Sequence, residues 1–330
     1  ILNMRYTSID IAKNYSLEGR NKLKKDFEDG IKSTSFCIVT TGSYARDEAS
    51  EASDLDCFVI TKDEIDENYF LTEAGSISPT PEFKKLMNEI VNRHVSKEAG
   101  DTGTFGLDAV VKLAELITNI GGIEDSNIQF TRRMLFLLEG KCLYNEELFN
   151  HFRRKLIEEY IKPTVSDCQL SRFLLNDIIR FYRTMTTDFE HKVSEKGKSW
   201  GVRNIKLTFS RKLLYFGGVI TVAETAQKTR EIKIEETIKL LNMSPLERIE
   251  HIARYRVDKV FNLYDYFLEK ISDNNTRTEL DSATVEASSE NNPLIFRELK
   301  NESKHFSWAL ASLLEQTYDK THPIHHALIL

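Results

Sequence analysis

Residues 41–60 of the chain read TGSYARDEASEASDLDCFVI, and this stretch decides how the first part of the protein folds. The apolar run 36–39 precedes it and predicts a buried strand that leads straight into the pair Gly42-Ser43. A second apolar run, 57–60, predicts a second strand directly after Asp54-Leu55-Asp56. The order of strand, glycine-serine turn, polar spacer, paired aspartates and strand therefore predicts a small domain with a polar site beside two neighbouring strands.

The two aspartates are the first candidates for chemistry. Successive side chains of a strand point to opposite faces, so Asp54 and Asp56 are expected to point the same way, with Leu55 and Cys57 directed into the fold. Two carboxylates that project together repel each other and cost stability. The same pair suits Mg²⁺ or Mn²⁺, which bind carboxylate and phosphate oxygens, and two such ions can stabilise an in-line displacement at phosphorus. Asp54 and Asp56 therefore predict a metal-dependent site for a nucleoside triphosphate.

The glycine-serine pair predicts the phosphate side of the same site. Gly42 has no side chain, so its backbone can approach a polyphosphate closely, and Ser43 adds a hydroxyl group. Arg46 is near enough in sequence to supply a fixed positive charge with bidentate geometry. The alternative is an ordinary polar loop between two strands. The complete ordered set favours the functional interpretation over that alternative.

On these residues the chain resembles the DNA polymerase beta-like nucleotidyltransferase superfamily. The superfamily pattern is glycine, glycine or serine, a spacer, and then aspartate, a hydrophobic residue and a second acid, which Gly42, Ser43, Asp54 and Asp56 match. The string GSYARDEASEASDLD is most similar to the bacterial branch that includes the uridylyltransferase of the nitrogen-signalling system. It is also similar to the minimal nucleotidyltransferases of toxin–antitoxin pairs. The motif resemblance covers the first part of the chain, and beyond it the likeness is architectural.

Two residues depart from the pattern of these relatives. Asp47 stands where they usually carry glycine, and Thr41 is a weakly hydrophobic residue before the Gly42-Ser43 pair. Neither departure touches the two aspartates. The metal-binding part of the resemblance is therefore intact, and the departures concern the turn between the two strands.

The resemblance also implies a third carboxylate from a later strand. Residues 104–111 are short, apolar and glycine-containing, so they predict that strand, with Asp108 as its acid and as a third metal ligand. Asp101, Asp125 and Glu115 are alternatives for this role. A site of two aspartates without a third acid is a further alternative.

Length and composition favour a cytoplasmic two-domain enzyme. A chain of 330 residues exceeds the usual size of a single core. Its four cysteines are widely spaced, and two of them fall in predicted strands, which indicates reduced thiols. No apolar run is long enough to cross a membrane. The net charge of −6 disfavours double-stranded DNA as a partner.

The predicted fold class is α+β, with a small mixed-sheet domain of the polymerase beta-like kind over 1–143 and an all-α helical bundle over 144–330. In the first domain, Thr80-Pro81 predicts the start of a helix. The segment 272–292 is rich in Ser, Thr, Asn and Glu and predicts a mobile surface loop. In the bundle, the apolar spacing predicts helices near 202–225, 233–242, 245–255, 256–272 and 294–318.

The bundle carries a second candidate set, on a basic segment of an otherwise acidic protein. Between residues 196 and 212 there are six basic residues and no acidic one. In a helix, Arg203, Lys206 and Ser210 share one face. Resemblance to relatives in which a helical domain supplies lysine and serine to the triphosphate implies nucleotide binding by these three residues. A solvated basic face is the alternative.

The sequence as a whole predicts a metal-dependent nucleotidyltransferase. It would move a nucleoside monophosphate from ATP or another nucleoside triphosphate to an acceptor hydroxyl, on a protein, an RNA end or a small molecule, and release pyrophosphate. Two other interpretations stay open. One is a catalytically silent nucleotide-binding regulatory module, and the other is a partner-dependent component of a defence or toxin–antitoxin system.

Overall fold

A computed structural model describes residues 6–73, 75–97, 106–165, 167–196, 199–285 and 291–329, with side chains in the seventh helix described up to Phe189. The chain divides into two compact units. One comprises residues 12–162, and the other comprises residues 163–330 together with the first eleven. Asp101 and the beginning of the predicted strand 104–111 lie outside the described residues.

The first unit is built on a four-stranded mixed sheet in the order β5-β2-β1-β6. Strand β1 is antiparallel to β2 and to β6, whereas β2 and β5 run parallel. A separate pair, β3 and β4, is antiparallel. The strands are β1 Phe36–Thr41, β2 Asp56–Thr61, β3 Phe70–Glu73, β4 Ser76–Pro79, β5 Val110–Lys112 and β6 Lys141–Tyr144.

Local signals explain where several helices of this unit begin. The hydroxyl of Thr80 accepts a hydrogen bond from the backbone N–H of Phe83, and Pro81 occupies the first helical turn, as the sequence predicts. Ser126 caps the fifth helix in the same way. The helices are α1 Thr7–Gly30, whose first residues belong to the other unit, α2 Gly42–Arg46, α3 Pro81–His94, α4 Leu113–Ile117, α5 Asn127–Leu138 and α6 Glu146–Tyr160.

Strand alternation places the main core of this unit on one face of the sheet. Ile38 of β1 and Cys57 and Val59 of β2 are buried against apolar side chains of α1 and α3, such as Phe27 and Phe83. The residues between them in β2 therefore point to the opposite face. This alternation decides the direction of the aspartate at the start of β2.

The second unit is helical, as the sequence predicts. Its elements are α7 Arg172–Lys196, α8 Trp200–Lys206, a π-helical turn Leu207–Arg211, α9 Lys212–Glu224, α10 Arg230–Asn242, α11 Pro245–Ala253, a 3₁₀ turn Arg254–Arg256, α12 Asp258–Ser272, α13 Asn274–Asp281, α14 Leu294–Thr317 and α15 Pro323–Ala327. Among the residues described, no helix is both long and apolar enough to cross a membrane.

Helix α6 shows where the structure and the predicted domain boundary at 143/144 differ. The contacts of the chain place α6 in the first unit, which extends to Lys162. The side chain of Asn145 donates a 3.0 Å hydrogen bond to the carbonyl of Phe36 in β1. The fully buried guanidinium of Arg153 donates to the carbonyls of Phe136 and Gly140, at the end of α5. An amphipathic pattern predicts a helix but does not say which surface the apolar side packs against.

Two further expectations need correction. The segment 272–292, predicted as a loop, contains α13, because Asp273 caps the first turn by accepting a 2.7 Å hydrogen bond from the backbone N–H of Thr276. The predicted strand 104–111 is limited to Val110–Lys112 within the described residues, and Asp108 lies in the turn before it. The polar composition of 272–292 therefore led to the wrong prediction of a loop where a capped helix forms. The apolar composition of 104–111 predicted a strand that begins earlier than the observed one.

Candidate active site

The site begins with the pairing of the two central strands. Thr41, the last residue of β1, lies opposite Asp56, the first residue of β2. The Thr40 hydroxyl donates a 2.9 Å hydrogen bond to the backbone carbonyl of Asp56. The residue that follows β1, Gly42, is therefore placed directly beside the Asp56 side chain.

Gly42 is a position that favours glycine strongly. Its φ of +73° lies in the left-handed region, which side chains disfavour. A Cβ atom built on Gly42 would be 2.5 Å from Oδ2 of Asp56, far inside van der Waals contact. The glycine thus allows the backbone of the turn to lie close to the Asp56 carboxylate.

Burial alternates from residue 54 to residue 57, which fits the prediction that Asp54 and Asp56 share one side of their segment. Both are half-buried, whereas Leu55 and Cys57 between and after them are buried in the main core. The burial of Tyr44 raises its pKa, and the neighbouring Tyr15 and the negative charge of Asp54 raise it further. Burial, followed by the charge of Asp56, raises the pKa of the Cys57 thiol to about 12.

A carboxylate from the residue that follows α5 holds the glycine-serine turn in place. Glu139 Oε1 accepts a 2.7 Å hydrogen bond from the backbone N–H of Gly42, and Glu139 Oε2 accepts one of 2.7 Å from Nη1 of Arg46. The Glu139 side chain is completely buried. The sequence patterns did not identify this residue. A negative charge is unfavourable at the C-terminal end of a helix, so an acid there, after an apolar helix, is a signal that it has a specific partner.

This network changes the interpretation of two predicted phosphate contacts. The Arg46 side chain is 4% exposed and binds Glu48, through Nε at 3.0 Å, as well as Glu139. A guanidinium buried between two carboxylates supports the turn and is not presented to a ligand. The backbone N–H of Gly42 likewise has a protein acceptor. Ser43 differs, because it is the one residue of 41–49, all of them described, that is not buried.

The structure gives a reason for the departure at Asp47. This residue ends α2 with φ +63°, the left-handed conformation that glycine adopts most readily and that aspartate tolerates better than most residues. Its carboxylate binds Nη1 of Arg20 at 2.7 Å, and the same guanidinium donates to the carbonyl of Tyr44. The aspartate therefore gains an ion pair with α1 that glycine cannot form.

Asp108 does not join the aspartate pair. Its side chain is 54% exposed and forms a 2.7 Å ion pair with Lys84 of α3. The alternatives are also engaged elsewhere. Asp125 is buried in a pair with Arg133, and Glu115 accepts a 3.3 Å hydrogen bond from the backbone N–H of Lys112 at the start of α4.

Metal binding must therefore be judged on Asp54 and Asp56. The part of the chain that the structure describes contains no cluster of three or more His, Cys, Asp or Glu side chains able to hold a metal ion. The two carboxylates and Ser43 in the adjacent turn are all half-buried, and they fit an ion held by two protein carboxylates and completed by phosphate oxygens. They do not fit a site made of protein carboxylates alone.

The basic candidates lie in the helical unit. Arg203 and Lys206 are half-buried residues of α8. Ser210 is buried in the π-helical turn, and the Tyr264 hydroxyl donates a 3.4 Å hydrogen bond to its Oγ. Ser210 thus contacts the interior of its own unit, whereas the two basic residues are partly accessible.

Comparison with known families agrees with the motif. Residues 20–101 match the model of a nucleotidyltransferase domain. This range includes residues 20–30 of α1, the turn 42–46, both aspartates and α3. No curated protein matches the chain. The match supports the resemblance to the polymerase beta-like superfamily and the assignment of nucleotidyl transfer in general.

Proposed function

We propose that the protein transfers a nucleoside monophosphate from a nucleoside triphosphate to an acceptor hydroxyl, with release of pyrophosphate. The observation that carries this proposal is the contact between the Gly42 turn and the Asp56 carboxylate, with Asp54 on the same side. The domain match over 20–101 supports the same chemistry. The acceptor, on a protein, an RNA end or a small molecule, is not specified by these residues.

Different residues of the chain would have different roles in this reaction. Asp54 and Asp56 would hold Mg²⁺ or Mn²⁺, which when bound offsets the charge that develops on the phosphate oxygens. Ser43, which is half-buried in the turn next to Asp56, would donate its hydroxyl to the triphosphate. Glu139 and Arg46 keep the turn in position through buried hydrogen bonds. Arg203 and Lys206 remain candidates for phosphate contacts from the helical unit, and Asp108 is not included because it is ion-paired at the surface.

The test is pyrophosphate release by the purified protein with each of ATP, CTP, GTP and UTP, in the presence of Mg²⁺ or Mn²⁺ and cell extract as acceptor source. The Asp54→Ala/Asp56→Ala double variant runs in parallel. Release that disappears in the double variant supports transfer and names the nucleotide. Equal release by both proteins contradicts the proposal, because the chemistry would then not depend on the aspartates.

A second candidate function is a catalytically silent nucleotide-binding module. The observation that favours it is the lack of a third carboxylate near Asp54 and Asp56 among the described residues. Nucleotide binding that depends on the two aspartates, without release of pyrophosphate in any extract, would support this alternative. Release that requires a co-purified protein would instead support a partner-dependent enzyme.

A further inference from the structure

The helical unit brings together three lysines that are not part of the predicted set Arg203, Lys206 and Ser210, although Lys212 follows Ser210 closely in sequence. Lys212 begins α9, and Lys300 and Lys304 lie on α14. The Lys300 ammonium donates a 2.9 Å hydrogen bond to Oδ1 of Asn204, and the Lys212 ammonium donates one of 2.5 Å to Oγ of Ser307. Two contacts thus join the α8–α9 segment to α14, each of them between a lysine and a neutral side chain.

The geometry of the helices accounts for these two contacts. Lys300 and Ser307 are seven residues apart, close to two turns of an α-helix. Asn204 and Lys212 are eight apart, but the π-helical turn Leu207–Arg211 between them inserts an extra residue. Because of this insertion, Asn204 and Lys212 lie on one face of the helix. The rotation about the helix axis from one to the other is within about 20° of two full turns. π-Helical turns of this kind occur frequently at functional sites.

The hydrogen-bond partners of the Lys212 and Lys300 ammonium groups are neutral side chains. Among the residues that the structure describes, neither Lys212 nor Lys300 forms an ion pair with a carboxylate, and both are half-buried. Burial lowers the pKa of Lys212. Burial also lowers the pKa of Lys300, and the positive charges of Lys212 and Lys304 lower it further. Partly desolvated like charges are costly unless an anion neutralises them.

We propose that Lys212, Lys300 and Lys304 form a binding site for a polyphosphate anion, either the free inorganic form or the di- or triphosphate group of a nucleotide. The two contacts lie two helical turns apart, roughly 10 Å along the axis. Several linked phosphate groups match this separation better than a single phosphate does. Asn204 and Ser307 hold the ammonium groups in place without neutralising them, which leaves the charge for the ligand. The three lysines all belong to the helical unit.

The experiment is isothermal titration of the whole protein with tripolyphosphate, pyrophosphate, orthophosphate, ATP and AMP, in EDTA so that no metal-dependent binding contributes. The Lys212→Met/Lys300→Met variant is compared with Lys320→Met, which removes an exposed lysine of the same unit. We expect wild type and Lys320→Met to bind tripolyphosphate equally, and the double variant to bind it at least tenfold more weakly. ATP binding tighter than tripolyphosphate identifies the nucleotide as the source, and the reverse identifies the inorganic chain.

Equal binding by the wild type and the double variant, or no binding by the wild type, overturns the proposal. A measurement on the wild type alone covers the case in which the double variant does not fold. Brief acetylation followed by mass spectrometry should show that tripolyphosphate protects Lys212 and Lys300, with Lys320 unprotected. Equal labelling of Lys212 and Lys300 with and without the anion overturns the proposal as well. Because these assays contain no metal or acceptor, their outcome does not depend on whether the protein transfers nucleotides.

Discussion

The backbone N–H of Gly42 donates a 2.7 Å hydrogen bond to Oε1 of Glu139, a residue 97 positions later in the chain. The second oxygen of this carboxylate binds Arg46 at the other end of the same turn. The end of helix α5 thus holds the glycine-serine turn that lies against Asp56. The stability of this turn depends on a buried carboxylate outside the motif.

Replacement of Glu139 should therefore be costly. Glu139→Ala leaves the buried guanidinium of Arg46 with one carboxylate fewer, and breaking a buried pair of this kind costs about 3–5 kcal/mol. The control is Glu146→Ala, which removes the 61% exposed partner of Lys24 and should cost about 1 kcal/mol or less. Urea unfolding measures both values. Similar losses in the two variants would contradict a specific role of Glu139.

Gly42→Ala should damage the site beyond its backbone cost. The positive φ alone costs a side chain about 1–2 kcal/mol. The added Cβ atom would also collide with Asp56, so the carboxylate must move. Gly121→Ala is the matched control, because its φ is +77° and nothing lies within 4 Å of the added atom. We expect a similar backbone cost in both variants and loss of nucleotide transfer in Gly42→Ala alone. Transfer retained by Gly42→Ala would show that the close approach is dispensable.

Asp54→Asn should be more stable than the wild type without metal, and it should gain less stability than the wild type when metal is added. In EDTA, removal of one of two neighbouring like charges should raise the unfolding free energy by up to about 1 kcal/mol. Mg²⁺ or Mn²⁺ should raise the melting temperature of the wild type, since a ligand of the native state stabilises it. The rise should be much smaller in Asp54→Asn. Differential scanning calorimetry measures both effects, and an equal metal-induced rise in the two proteins would place the metal elsewhere.

Asp108→Asn should have little effect. The residue is exposed and its ion pair with Lys84 lies at the surface, so the cost in stability should be about 1 kcal/mol or less. Pyrophosphate release should stay within about threefold of the wild type, a barrier change below 1 kcal/mol. A loss of two orders of magnitude or more would restore Asp108 to the catalytic role that the sequence predicts.

The four thiols should differ sharply in reactivity. Cys168 is exposed, whereas burial raises the pKa of Cys57 and of Cys142 to about 12 and that of Cys37 well above its ordinary value. At pH 8 a thiol reagent should modify Cys168 rapidly and the other three on unfolding, because the thiolate is the reactive form. Rapid reaction that persists in Cys168→Ser would contradict this assignment.

The same thiols predict how stability depends on alkaline pH. The pKa of Cys57 is higher in the folded state, about 12, than the ordinary value of 9.0, so the unfolded chain releases its proton first as the pH rises. The contribution to stability is therefore complete below about pH 9 and declines between pH 9 and 12. Unfolding free energies measured across this range should fall less steeply in Cys57→Ala than in the wild type.

Local patterns were sufficient for much of the fold. Patterns of neighbouring residues predict three features that the structure shows. These are the alternating burial from Asp54 to Cys57, the helix cap at Thr80 and the apolar stripes of the helices in the second unit. The same kind of evidence failed at α13, where a cap outweighed polar composition, and at Asp108, which lies in a turn because the strand begins only at Val110. Local signals identify elements more reliably than they place their ends.

The sequence by itself determined the chemistry of the motif and the kind of domain that carries it, because strand alternation and glycine conformation depend on adjacent residues. The tertiary structure decided which groups support the site. Glu139 binds Gly42, Asn145 before α6 binds Phe36 of β1, and Lys212 binds Ser307 of α14, through contacts between residues far apart in the chain. Such contacts arise from the packing of whole elements, which no local pattern encodes.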